Sequence, residues 1–536
     1  MIRNINDFDE KKSAKGYYWN YNEAPRYRIE KLKTKYNLPE IVAKILANRE
    51  TNDSYIDEFL RPSLKDNLPD PNIIINMEES IKIIIKKIRS NKSIGLLGDY
   101  DVDGASSSAV LYKYFNDIGI YPEVYIPNRL NDGYGISKNS IDFFFKKKIK
   151  FLIALDCGTN DLINIEYAKK KGIDILVIDH HEVKSLGKPI SIINPKLVND
   201  ESGLDILCTA GLAFLFVIGL NRELRKKGFF NNRNEPNLKN LLDFVAIGTV
   251  CDLVPLKKIN RLLVKKGLDI LSLKSNKGLK ILKEKLKIER KLKASDLSFY
   301  LGPCINAAGR IGDSKLGFNL LTNNDEKALD DIANKLIVNN QERKTLENLA
   351  YIEAKKLIKE EEPNDFIFLY SKKWHPGIVG IIASKLVEEY NKPAFVISIQ
   401  GIRATGSVRS VKHINISNII DLLKTNRNLL ANRDNFPPQF KEVGDDMIRM
   451  MLPPEVRQSL KGSTVESLDR EILQIENVLK NLKVGKDKRA LNADGGRIGF
   501  DKGGIFGSGS VPSDVIDSDL LDIGFDNLTL DEIRDI

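Results

Sequence analysis

The chain has 536 residues, 42% of them apolar and 29% charged, an ordinary balance for a soluble protein with room for two or three cores. No apolar run approaches the roughly 18 residues of a membrane span, and the charged start MIRNINDFDEKKSAKG lacks a secretory signal's apolar stretch, so the expected location is cytoplasmic. The net charge is +10, while 426–536 holds 15 Lys and Arg against 20 Asp and Glu, so the positive excess belongs to the body of the chain. That excess suits a polyanionic partner, or equally a set of solvated lysine faces such as FFFKKKIK. Four scattered cysteines, Cys157, Cys208, Cys251 and Cys304, form no CxxC pair, which argues against a zinc knuckle and a disulfide scaffold.

Residues 1–72 read as a lead-in of loop and short helix that closes on FLRPSLKDNLPDP. From MEESIKIIIKKI the pattern turns α/β. A helix precedes a strand at 94–97 and another helix follows it; YPEVYIPNR comes next, then the strand FLIAL, the helix LINIEYAKKKG and the strand DILVI. Short apolar runs alternating with helical periods predict a parallel sheet flanked by helices. Helices dominate from Gly211 to Ser272, and a long charged helix is expected within 323–362. A second, smaller α/β domain is expected at 363–424, beginning with NDFIFLYSKKWHPGIVGIIASKL. Residues 425–536 change character again: proline punctuation, an amphipathic helix at 467–484, a glycine-rich run and an acidic end, the composition of a partly disordered tail.

Aspartates recur just past the strands of the first α/β region. Asp99 and Asp101 follow the first strand, Asp156 follows FLIAL, and Asp179 follows DILVI. The carboxyl ends of neighbouring parallel strands meet along one edge, where ligands bind. A single aspartate there is more often a helix cap or turn residue; three such places, one of them a D-x-D, are harder to dismiss. Two of only four histidines, His180 and His181, sit beside Asp179 in VIDHHEVKS. Several carboxylates with a little imidazole suit Mn²⁺ or Mg²⁺ better than a thiolate-seeking metal, and divalent ions would relieve the crowding of negative charge. Asp252, in AIGTVCDLVPL, is by spacing alone another loop aspartate.

GDYDVDG, LDCGT, DHH and GTVCDLVPL occur in an order that resembles the DHH phosphoesterases. IPNRLNDGYGIS, GPCINAAGRIGDS, WHPGIVGIIASKL and ATGSVRS are similar to segments of the RecJ-type exonucleases within that family, and the resemblance spans about 17–424. It implies a DHH catalytic domain over 73–322, a connecting helix at 323–362 and part of a DHH-associated substrate-binding domain at 363–424. It implies a hydrolase that digests single-stranded DNA from the 5′ end in repair and recombination, using two ions of Mn²⁺ or Mg²⁺. Asp99, Asp101, Asp156, His180 and Asp252 are the implied metal ligands, with Asp156 bridging. Asp103, Asp179 and His181 are implied to support them or touch the phosphate, His181 as the group that polarises a phosphate oxygen. Arg310, Ser407 and Arg409 match positions that hold phosphates, and arginine's planar fork suits that task. Arg129 and Tyr134 either contact nucleic acid or shape the DGYG turn, and His375 is expected to brace a helix start. A helicase or a single-strand-binding protein is an implied partner; a membrane is not.

The chain departs from the family's pattern toward its end. None of its histidines follows two glycines, so the Gly-Gly-His phosphate loop of the associated domain is missing, and the oligonucleotide-binding barrel that usually follows has no counterpart in 425–536. An intact metal centre with impaired digestion of long strands is the expectation. Two other functions compete: a DHH hydrolase of short oligonucleotides or cyclic dinucleotides, and a non-catalytic DNA-binding scaffold. The lead-in and GYGIS region favour the exonuclease over the first, and the five filled ligand positions favour it over the second.

Overall fold

Continuous apolar runs become strands covered on both faces. In the computed structural model these are β1 (Gly95–Gly98), β2 (Glu123–Tyr125), β3 (Phe151–Leu155), β4 (Asp174–Ile178) and β5 (Ser191–Ile193). They form one parallel sheet in the order β2-β1-β3-β4-β5. The structure describes residues 24–49, 53–129, 132–273, 276–360, 365–400, 403–412 and 414–416; the helix expected at 467–484 and all of 425–536 lie outside them. The first strand runs one residue later than the apolar pattern suggests, because Gly98 still pairs with Leu155. That pairing matters: Gly98, Leu155 and Ile178 lie side by side, so Asp99, Asp156 and Asp179 are the next residue of three adjacent strands. The chain leaves β1 for β2 on one side and returns to β3 on the other, which opens the crevice of an α/β sheet at that edge.

Two compact units are present. The smaller takes the chain up to Pro69 together with Leu256–Leu262. Its helices Arg26–Tyr36, Glu40–Asn48 and Asp53–Leu60 bury Ile29, Leu32, Ala43, Leu46 and Ile56 against one another. The Arg261 guanidinium lies 3.8 Å over the Phe59 ring and donates to the Phe59 carbonyl, which ties the returning segment to this unit. The sequence does not announce that return.

The larger unit holds the sheet and everything described after it except Leu256–Leu262. The long charged helix appears as Glu326–Glu360. Strands β6 (Ile367–Ser371), β7 (Ala394–Gln400) and β8 (Arg403–Arg409) make a second sheet, with β6–β7 parallel and β7–β8 antiparallel. This region, expected as a separate domain from 363, does not own its core. Ala350, Ala354 and Ile358 of the long helix are buried in one cluster with Ile367, Trp374, Ile382 and Val396. The Trp374 indole also donates to Glu353 of that helix. The connector thus contributes part of the second core, and both lobes stay within one compact unit.

One buried acid outside the crevice sets a pH dependence. Asp243 lies in the first turn of the helix Leu242–Cys251, accepts from the Phe244 amide at 2.8 Å, and is pushed up to about 7 by burial. The folded state therefore keeps a proton that the unfolded chain releases near pH 4, so this contribution to stability is present at low pH and is lost as pH rises through about 7. Asp243→Asn, which keeps an acceptor but cannot ionise, is expected to melt higher than the wild-type protein by an amount that grows from pH 5 to pH 8 and reaches on the order of 2–4 kcal/mol. A constant difference across that range in thermal melts would refute it.

Candidate metal centre

The GDYDVDG turn carries two ligands because the chain must change from strand to helix within it. Asp101 caps the helix Val102–Asp117, its Oδ1 accepting from the Gly104 amide at 3.0 Å. Asp99 stays at the strand end, buried. Asp103 has turned away from solvent, and its two oxygens accept from the Thr209 and Ala210 amides at 2.7 and 2.9 Å. A carboxylate on the first amides of the helix Thr209–Lys226 is a favourable charge at a helix N-terminus, and it fastens that helix to the crevice.

Asp156 follows β3 in a left-handed conformation, φ 66°, which aims its carboxylate back over the crevice. Thr209 Oγ1 donates to Asp156 Oδ1 at 2.9 Å, and the Tyr134 hydroxyl donates to the Asp156 carbonyl at the same distance. Asp179, after β4, organises the two histidines. Its Oδ1 accepts from the His180 amide and from His181 Nδ1, both at 2.7 Å, while its Oδ2 accepts from the Thr159 amide. His180 is thereby turned inward, with Nε2 3.4 Å from Asp156 Oδ1 and 3.5 Å from Asp252 Oδ2. Asp252 arrives as the residue capping the C-terminal end of the helix Leu242–Cys251.

Three overlapping groups have ligand atoms within 4.8 Å of one another: Asp99, Asp101 and Asp156; Asp156, His180 and His181; and Asp103, His180 and Asp252. Asp156 and His180 each belong to two of them. All five implied ligands are therefore brought together.

The electrostatics fit a cation. Burial and then the charge of Asp101 push Asp99 well up; burial followed by Asp103 and Asp101 does the same to Asp156, and the same causes take Asp252 to about 9. Burial lowers His180, which keeps its imidazole neutral and able to ligate. Asp179 goes the other way: despite burial, the hydrogen bond and charge of His181 hold it far below the usual carboxylate range. Partial burial opposes protonation of His181, yet Asp179 lifts it to about 9. Asp99 Oδ1, His180 Nε2 and Asp252 Oδ2 are buried without a hydrogen-bond partner among the described residues. Orphaned acceptors at the focus of a carboxylate cluster are what a bound divalent ion satisfies, and oxygen with neutral imidazole is a donor set for Mn²⁺ or Mg²⁺. The residues present fit the group.

From the centre, basic side chains continue toward the second sheet. Arg129 lies 5.0 Å over the ring of Tyr100, the residue between Asp99 and Asp101. The helix Gly302–Ile311 rests on Tyr100, where a Cβ at Gly309 would sit 2.6 Å from the Tyr100 carbonyl. Arg310 at its end donates to the Gly377 carbonyl at 3.2 Å. His375 caps the following turn through Nδ1 and the Gly377 amide, bracing the helix start as its sequence context suggests. Ser407 and Arg409, two apart on β8, share one face. A Cβ at Gly380 would lie 3.1 Å from Ser407 Oγ and 3.7 Å from Arg409, and Arg409 Nε donates to Ser384. Arg310, Ser407 and Arg409 thus gather around the first turns of the helix Val379–Tyr390. The Tyr134 hydroxyl does something neither alternative foresaw: it donates to the Asp156 carbonyl and lies 3.2 Å from His181 Nδ1.

Several participants carry no sequence signal. Thr209 holds Asp156; Asn194 donates to Thr159 Oγ1 and the His181 carbonyl; Asn306 accepts from the Val102 amide. Thr209 and Asn194 belong to no motif, and Asn306, though inside GPCINAAGRIGDS, is an ordinary amide there; only the crossing of distant elements makes them partners.

Comparison with known proteins agrees with this geometry. Residues 93–249 match the DHH family, N-terminal domain, and 364–427 match the DHHA1 domain. The chain is 34% identical over 400 residues to the single-stranded-DNA-specific exonuclease RecJ of Escherichia coli (strain K12), covering 72% of this chain and 69% of that protein. Among solved structures it is similar to exonuclease RecJ bound to manganese, with a TM-score of 0.56 and 28% identity, covering 65% of this chain and 85% of that one. It is also similar to RecJ in complex with Mn²⁺ from Thermus thermophilus, with a TM-score of 0.61 and 25% identity over 76% of this chain and 57% of that one. No helix among the described residues is long and apolar enough to cross a membrane.

Proposed function

This chain belongs to the RecJ family of single-stranded-DNA-specific exonucleases, and we propose that it hydrolyses single-stranded DNA from the 5′ end with two divalent ions, Mn²⁺ or Mg²⁺. The carrying observation is the convergence of Asp99 Oδ1, His180 Nε2 and Asp252 Oδ2, buried and unsatisfied, around Asp156. Asp99, Asp101, Asp156, His180 and Asp252 hold the ions. When bound, a divalent ion supplies Lewis acidity to the phosphate and a water of lowered pKa. Asp103 and Asp179 stay out of direct ligation: the first fastens the Thr209–Lys226 helix, the second orients both histidines. His181, anchored through Nδ1 and with 44% of its side chain exposed, donates to a phosphate oxygen as charge builds there. Arg129, Arg310, Ser407 and Arg409 hold the flanking phosphates, which sets the reacting linkage over the metal centre. The reaction needs no protein nucleophile. The cytoplasm is the expected compartment, and a helicase or single-strand-binding protein the expected supplier of free ends.

Incubation with Mn²⁺ and 5′-labelled or 3′-labelled single strands, blunt duplex and dinucleotides tests the reading. Mononucleotides released from the 5′ end of the single strand are expected. Digestion confined to dinucleotides, or starting from the 3′ end, would overturn it. Arg409→Ala is expected to raise KM for a single strand about tenfold and to change kcat much less, because a charge-assisted phosphate contact is removed without touching the ligands. A kcat loss at unchanged KM in steady-state digestion would contradict this.

A further inference from the structure

A second feature lies on the wall that carries Asp252. Cys251 Sγ, one residue before that ligand, lies 3.5 Å from the Leu297 carbonyl, so the segment Leu297–Leu301 packs on the end of the Leu242–Cys251 helix. This segment is a π-helical turn leading into the helix Gly302–Ile311. Leu297 and Leu301 are buried, whereas Phe299 and Tyr300 between them are 72% and 51% exposed. Leu253, the residue after Asp252, is 79% exposed and held at φ 59°. Leu253 thus stands in solvent as the chain neighbour of a metal ligand, and Phe299 and Tyr300 stand in solvent on a segment packed against the same helix end, a turn type that recurs at functional sites.

The approach to them is basic. Lys287, Arg290, Lys291 and Lys293 are exposed with a single acid, Glu289, among them; Lys291 pairs with Asp269 at 3.5 Å, and the loop is pinned from within. Buried Asp296 accepts both arms of Arg290, at 2.5 and 2.7 Å, and the Lys293 amide at 2.8 Å. Two adjacent exposed aromatic rings that follow a basic loop form a surface for single-stranded nucleic acid, whose bases stack while its phosphates meet the charges.

We propose that Phe299 and Tyr300, with Leu253 beside them, form a base-stacking platform that seats nucleotides of the single-stranded DNA next to the Asp252 side of the metal centre. The proposal rests on the exonuclease reading and adds to it an apolar recognition of bases separate from the phosphate grip of Arg310, Ser407 and Arg409. A rigid double-stranded end keeps its bases paired and cannot offer them to this surface.

The test uses the full chain in EDTA, so that nothing is cut, and fluorescence anisotropy with two labelled single strands of equal length, one ordinary and one carrying a run of abasic sites. The wild-type protein is expected to bind the ordinary strand about tenfold more tightly, and the F299A/Y300A protein to bind both strands alike at the weaker level. Both residues are exposed, so circular dichroism should report an unchanged fold. Equal weakening on both strands, or no weakening, would overturn the platform while the wild-type protein still binds DNA. A dimer converted to monomer by the substitutions at unchanged DNA affinity would assign the patch to a second copy of the chain and overturn it too. Failure of the wild-type protein to bind any single strand would instead strike the exonuclease reading, and the platform with it.

Discussion

Asp156→Asn is expected to cut Mn²⁺-dependent strand hydrolysis by at least about 10³-fold while raising the melting temperature of the metal-free protein. Asparagine isolates the charge: position 156 sits at φ 66°, which Asn tolerates and Ala does not, and the amide oxygen can still accept from Thr209. In the metal-free state the carboxylate is buried among Asp103, Asp101, Asp252 and Asp99, so a neutral group relieves repulsion. With Mn²⁺ present the order reverses. Binding stabilises the wild-type protein by about 2.7 kcal/mol per site at a hundredfold excess over Kd, and the variant forfeits most of this. Melting curves with EDTA and with Mn²⁺ should therefore cross between the two proteins. Equal metal-induced shifts, or activity retained in the variant, would remove Asp156 from the centre.

Gly104→Ala is the second large effect. A Cβ at residue 104 would lie 2.5–2.6 Å from the carbonyl oxygen, Cα and nitrogen of Asp99, all backbone atoms at the end of a strand paired on both sides. Nothing there can give way cheaply, so the Val102–Asp117 helix must move off the strand end. That movement breaks the Asp101 cap on the Gly104 amide and separates Asp99 from Asp101. A loss of about 2–4 kcal/mol in chemical denaturation is expected, with Mn²⁺ affinity down by at least about 10²-fold in calorimetry. A variant that melts and binds Mn²⁺ like the wild-type protein would show that the turn is not a rigid mount for the ligands.

Much of the centre was legible in the chain itself, and the reason is local. FLIAL and DILVI are continuous apolar runs of strand length, so the residues just past them fall at strand ends whatever the tertiary details. The D-x-D turn and the adjacent histidines then mark that edge as cation-binding. Asp252 was different: it comes from a helix end, a strand-end rule does not reach it, and only resemblance to the DHH phosphoesterases singled it out. Resemblance likewise supplied Arg310, Ser407 and Arg409, which are ordinary polar residues until the helix Val379–Tyr390 is seen between them.

Periodicity and local turn chemistry sufficed to mark β1, β3 and β4, the long charged helix and the edge on which acids collect, whereas β2 and β5, three residues each, are too short to show a pattern. Only the tertiary structure decided which side chain holds which. Thr209 reaches Asp156 across 53 positions, Asp103 seats a helix starting 106 positions later, and the long connector turns out to contribute to the second lobe's core. Apolar patterning is additive along the chain and can be read residue by residue. A buried hydrogen bond depends on two groups arriving at one place with matched geometry, and that meeting is a property of the packed whole.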